Sequence, residues 1–136
     1  DYRGALADYN TYDTLMFGRA SADFYYTRYT CEVNLRQYQQ ALNDIAHAAV
    51  VAQPDMRPPY LAELASLQLR VNKLEDAVKT ADLCLNLDPK STDALVIKGV
   101  ALNALKRKAE AIECLKKAAE LGDKRGDEYI KKYSSK

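Results

Sequence analysis

An alanine that returns at nearly constant spacing constrains this chain more than any other feature. Ala5, Ala41, Ala77 and Ala111 stand 36, 36 and 34 residues apart. Each is followed by an apolar residue: Leu6, Leu42, Val78 and Ile112. Four residues beyond each alanine come Tyr9, Ile45, Ala81 and Leu115, and seven beyond come Tyr12, Ala48, Cys84 and Ala118. Offsets of four and seven share one face of an α-helix. Each period therefore predicts a helix whose buried face opens with a small side chain, against which a neighbouring helix can come close.

A second helical segment precedes each of the last three alanines, over roughly 22–35, 58–71 and 92–105. Pro58 and Pro59 suit a first helical turn, where the missing N–H is not needed. Ser91 or Thr92 can cap the last segment, with Asp93 in its first turn. Asp88-Pro89 ends the helix before it, and Pro54 does the same one period earlier. Only five Gly and four Pro are present, which favours long regular elements over many turns. Helices of about 14 residues are marginal alone in water, so packing between them must hold them.

The period, the paired helices, the alanine with a large apolar residue four places on, and the Asp-Pro ending resemble the tetratricopeptide repeat. The best match runs from Leu95 to Leu102 and continues with Ala111, Leu115 and Ala118. There Leu95 fills the family's first large position and Gly99 the small position of the first helix. The resemblance reaches about residue 122. It implies an all-α fold: a right-handed α-solenoid of antiparallel helix pairs with a C-terminal capping helix. As one domain, 1–136, it divides into the second helix of an incomplete repeat (1–16), repeats at 22–54, 58–90 and 92–122, and a capping helix at 124–133. The small position is Gly99 in the last repeat and Ala65 in the one before, but Tyr29 in the second, where it is expected to widen or rotate the pair. Because the first repeat lacks its first helix, the chain reads as starting inside a longer array, the alternative being that its remaining helix serves as an unpaired cap. Gly122 marks a helix end. After it, Tyr129, Ile130 and Tyr133 share a face, and charges fill the rest, as a solvating end helix requires; the natural chain is expected to end near here.

Composition excludes several function classes. The net charge is +1. Residues 1–60 hold five Arg against seven acids, and 61–136 hold fifteen basic residues against twelve acids. The basic excess is spread along helices with acids between, with no stripe bearing aromatic platforms, so no nucleic-acid site is expected. The longest apolar run is five residues, Ala48–Ala52, against the about 20 needed to span a membrane, so no membrane insertion is expected. Cys31, Cys84 and Cys114 show no C-x-x-C spacing and His47 is the one His, which leaves no metal set. The cysteines are expected as buried free thiols, which suits a reducing compartment. His47 is expected to be structural or superficial. No Gly-rich phosphate loop is present, and the carboxylates are read as following helix surfaces. No catalytic residue, cofactor or enzymatic role is expected.

The resemblance implies that the first helices of successive repeats line a concave groove for an extended or helical peptide. The matching positions are Asp23, Tyr26, Thr27, Thr30, Val33 and Asn34; then Pro59, Ala62, Glu63, Ser66, Leu69 and Arg70; then Asp93, Val96, Ile97, Val100, Asn103 and Ala104. Val96, Ile97, Val100 and Leu69 are expected to form an aliphatic strip beside Tyr26, and exposed apolar patches usually mark interaction surfaces. The competing expectation is that the C-terminal helix folds over these residues or that they pack within the stack. Some members of the family clamp the terminal carboxylate of chaperone tails with Lys, Asn and Arg. The corresponding positions here are Tyr26, Thr30, Glu63, Asp93 and Ile97, so such tails are not expected partners. Seven of the ten Tyr precede residue 40. Tyr25, Tyr29 and Tyr38 are expected in packing, while Tyr12 and Tyr26 stand open between packing and recognition. The leading functional expectation is a scaffold that binds another protein or peptide. The alternatives are a self-assembly element, pairing through the apolar face of the N-terminal helix, and a regulatory or targeting module of a larger protein.

Overall fold

The computed structural model describes residues 2–7 and 21–134, and every regular element among them is helical. Residues 2–7 form α1. They are followed by α2 (Ala22–Asn34), α3 (Tyr38–Val51), a short 3-10 turn at Pro54–Met56, α4 (Arg57–Arg70), α5 (Leu74–Leu87), α6 (Thr92–Ala104), α7 (Lys108–Glu120) and α8 (Lys124–Ser134). The all-α class and the paired segments expected from the period are therefore present. Tyr9, Tyr12 and most of the N-terminal face expected to self-associate lie outside the described residues.

Local chemistry explains the boundaries. The Ser21 hydroxyl accepts from the Phe24 amide at 3.3 Å and starts α2. Of the two candidates for α6, Ser91 is the cap, accepting from the Ala94 amide at 3.3 Å. Pro58 and Pro59 fall in the first turn of α4. The turns after α2, α4, α6 and α7 share one device. Arg36, Asn72, Lys106 and Gly122 take left-handed φ of 60, 66, 67 and 96°. The next amide then reaches back to the helix: Gln37 to the Glu32 carbonyl (2.8 Å), Lys73 to Gln68 (2.8 Å), Arg107 to Leu102 (2.9 Å) and Asp123 to Ala118 (3.0 Å). Gly122 and Asn72 are the residue types that this conformation favours, while Arg36 and Lys106 are not.

The chain forms two compact units, residues 1–60 and 61–136, with the boundary inside α4. In the first, α2 packs on α3, burying Tyr25, Tyr29, Ala41, Leu42, Ile45 and Ala48. In the second, α5, α6, α7 and α8 pack in succession. Its core holds Leu95, Val96, Leu102, Ala111, Cys114 and Ala118, with Val78, Leu85, Val100 and Tyr129 against it. Gly99 sits where a methyl group would stand 2.7 Å from Leu115 Cγ, so the small position works as expected. Gly126 does the same for α8, which approaches the backbone of α7 at Leu115 and Ala119. Arg125 then ties α8 down, donating to Asp123 Oδ2 (2.7 Å) and Asp93 Oδ1 (2.6 Å).

All three cysteines are buried free thiols, and burial pushes each thiol up from its ordinary range. No helix among the described residues is long and apolar enough to cross a membrane.

Candidate functional site

The candidate residues of the first unit lie on the outer face of α2. Tyr26 is 37% exposed. Its ring packs 5.6 Å from Tyr29 and 5.7 Å from Tyr60. The Tyr60 hydroxyl donates to Asp23 Oδ1 at 3.1 Å, and burial together with this bond pushes the phenol up. Three polar side chains turn back on their own helix. Thr27 donates to the Asp23 carbonyl (2.8 Å), Thr30 to that of Tyr26 (3.0 Å) and Asn34 to that of Thr30 (2.8 Å). A hydroxyl that has given its one proton away keeps only acceptor capacity. The face thus presents acceptors at 23, 27, 30 and 34 beside an aromatic pair. Val33 is half-buried at its margin.

In the second unit, Val96 and Val100 follow the competing expectation of packing within the stack. Val96 is 4% exposed and belongs to the core, and Val100 packs against the same cluster together with Tyr129 of α8. The aliphatic strip expected in an open groove is therefore largely closed. The reason is that α6 is apolar almost all round and is packed by α5, α7 and α8. Ile97 and Asn103 of α6 are half-buried, as are Ala62, Glu63 and Leu69 of α4, while Arg70 is exposed. Asp93 is engaged by Arg125.

A polar site that the sequence reading missed lies between α2 and α3. Arg28 donates through Nε and Nη2 to the two oxygens of Asp44, at 2.7 and 2.6 Å. The side chains are only 12 and 5% exposed, and a two-point charged pair of this kind is among the stronger hydrogen-bonded contacts. The guanidinium also lies 5.4 Å from the Phe24 ring centre and 5.6 Å from that of Tyr25. Glu32 is buried beside Asp44. Burial first, then a hydrogen bond to Asp44 and its charge, push the Glu32 carboxyl up to about 9, with Arg28 opposing. A pocket of about 340 Å³ is lined by Arg28, Glu32, Gln37, Gln40, Asn43, Asp44 and His47. His47 is exposed, as expected, and stacks on buried Tyr25 at 5.3 Å. The reading that carboxylates keep to helix surfaces is thus overturned at Glu32 and Asp44. A signal was available: Glu32 falls at the repeat position that Leu102 fills in the last repeat. No group of three or more His, Cys, Asp or Glu among the described residues is placed to hold a metal ion.

Comparison with known proteins agrees with the geometry. Residues 92–121 match the model of the tetratricopeptide repeat family. Among solved structures, MamA is similar with a TM-score of 0.79 at 17% identity, over 93% of this chain and 71% of that one. YrrB, described as a TPR protein with an unusual peptide-binding site, is similar with a TM-score of 0.79 at 23% identity, over 96% of this chain and 66% of that one. The first TPR of Spaghetti (RPAP3), bound to the HSP90 peptide SRMEEVD, gives 0.76 at 21% identity, over 85% of this chain and 91% of that one. These likenesses establish the fold as that of the tetratricopeptide solenoids. No curated protein matches the sequence.

Proposed function

We propose that this tetratricopeptide-type chain is a protein-binding module, and that the outer face of α2 takes an extended segment of its partner. The observation that carries this reading is the row of acceptors at Asp23, Thr27, Thr30 and Asn34 beside exposed Tyr26. Such a face suits a segment rich in N–H donors: backbone amides and the heads of Lys or Arg. Aromatic rings add contact area at little conformational cost, as they do in other recognition surfaces. Two fold relatives, one described by its peptide-binding site and one bound to a peptide, support an interaction role rather than catalysis. In the second unit, Ile97, Asn103, Leu69 and Arg70 remain candidates, whereas Val96 contributes to stability. A segment ending in a free carboxylate is a poor fit to this face, because Asp23, Tyr26, Thr27, Thr30 and Asn34 offer it no cation.

Peptide display against the purified chain tests this. Selected peptides are expected to be basic and lacking a required C-terminal carboxylate. Thr30→Arg, an exposed change, is expected to weaken them about tenfold or more by placing a like charge in their path. Selection of acidic, carboxylate-dependent peptides, or indifference to Thr30→Arg, defeats the reading.

A further inference from the structure

We propose that the pocket between α2 and α3 is a recognition site for an ammonium group, carried by a lysine side chain of a partner protein or by a free primary amine. It uses positions of α2 other than the exposed tyrosine face and does not depend on that face binding a peptide.

Three observations carry the assignment. Glu32 is 4% exposed, and its Oε1 is buried with no hydrogen-bond partner. A buried acceptor without a donor is costly, and a bound N–H would relieve it. Two carboxyl groups, Glu32 and Asp44, share one guanidinium, and Arg28 already spends two N–H groups on Asp44. Once both carboxyls are ionised, a second cation balances the set. Finally, Gln37, Gln40 and Asn43 line the same pocket and their amide carbonyls can accept from the other N–H groups of an ammonium. An anion would meet two carboxyls. A metal ion finds no set of three ligands among the described residues.

The groups around Glu32 are Arg28 and Cys31 from α2 and Asp44 and His47 from α3. With the pocket empty, Glu32 keeps its proton through the neutral range. When an ammonium enters, Glu32 releases that proton to solvent and the carboxylate pairs with the cation. The ammonium keeps its own three protons and no covalent bond to carbon changes. Between the ordinary Glu value of 4.5 and the raised value of about 9, binding therefore strengthens as pH rises and releases up to one proton.

The test is calorimetric titration of the whole chain at neutral pH, in buffers of different ionisation heat. The probes are n-butylamine and a capped peptide whose one ionisable residue is lysine. Both are expected to bind with release approaching one proton. Glu32→Gln, close in shape to the protonated acid, is expected to bind about tenfold or more weakly and to release none. A peptide that binds tighter than n-butylamine supports the site with a protein lysine as source, and equal binding supports it with a free amine. Absence of binding, binding without proton release, or undiminished binding by folded Glu32→Gln overturns the proposal. If that variant does not fold, the proton count on the unaltered chain decides alone.

Discussion

The helix pairs α2–α3 and α6–α7 share one backbone plan and seal different chemistry inside it. Their register is fixed by the turns: the carbonyls of Glu32, Gln68 and Leu102 accept the same turn-closing amide bond in successive repeats. On that register Tyr29 matches Gly99, Glu32 matches Leu102, and Asp44 matches Cys114. The later pair is dry, with Gly99 against Leu115 and a core of Leu95, Leu102 and Cys114. The earlier pair encloses a guanidinium, its carboxylate partner and a second carboxyl. The middle repeat stands between them, with buried Thr80 and a Gln68 whose buried Oε1 lacks a partner. From repeat to repeat along the sequence, the matching interior positions thus change from charged to neutral polar to apolar while the turns and the small alanines stay the same. Backbone capping and close helix approach hold the repeat, which leaves a few interior positions free to carry other chemistry.

Four changes press on that contrast. The largest effect is expected from Asp44→Ala, which strands Arg28 in a buried site and should cost about 3–5 kcal/mol in urea unfolding. Its counterpart is Asp82→Ala. Asp82 meets Lys98 at 2.6 Å with side-chain exposures of 49 and 26%, and its loss should cost under about 1 kcal/mol. Equal small losses would mean that the α2–α3 pair is no drier than the surface.

Next comes Gly99→Val, which drives a branched side chain onto Leu115 in the apolar pair. Overpacking of this kind should cost about 1–3 kcal/mol. A variant as stable as the parent would show that the close approach of α6 and α7 is not needed.

A change of the opposite sign is expected from Glu32→Gln. The Glu32 carboxyl is raised in the folded chain from 4.5 to about 9, so the folded state binds the extra proton between those values. Stability is then full below about 4.5 and falls as pH rises towards 9. Glutamine keeps a donor for Asp44 without ionising. It should add up to about 3 kcal/mol near neutrality, at about 1.4 kcal/mol per pH unit above 4.5, and nothing near pH 4. Parallel stability curves for the two proteins across that range would remove the buried acid from the account.

Much of the fold was legible because its determinants are local. Small residues at a fixed period, Ser91 as a cap, Pro58 and Pro59 in a first turn, and Gly122 at a helix end act within a few residues of themselves. The site was legible only in part. Tyr26 and Thr30 do lie on an exposed face, but nothing near them in sequence showed that Tyr60 joins them. Val96 stood open between groove and core because α6 is apolar on nearly every side, and periodicity cannot choose a face when all of them qualify. Arg28, Glu32 and Asp44 were misread because a charged residue on a helix resembles a solvated one until its partner is known.

The sequence by itself determined the period, the helix pairs, the small contact at Gly99 and the capping helix, since each follows from spacing or from the steric limits of one residue. Only the tertiary structure decided that Val96 closes into the core and that Glu32 meets Asp44 beneath the surface. Burial is a property of what two helices enclose together, and neither helix carries that information alone.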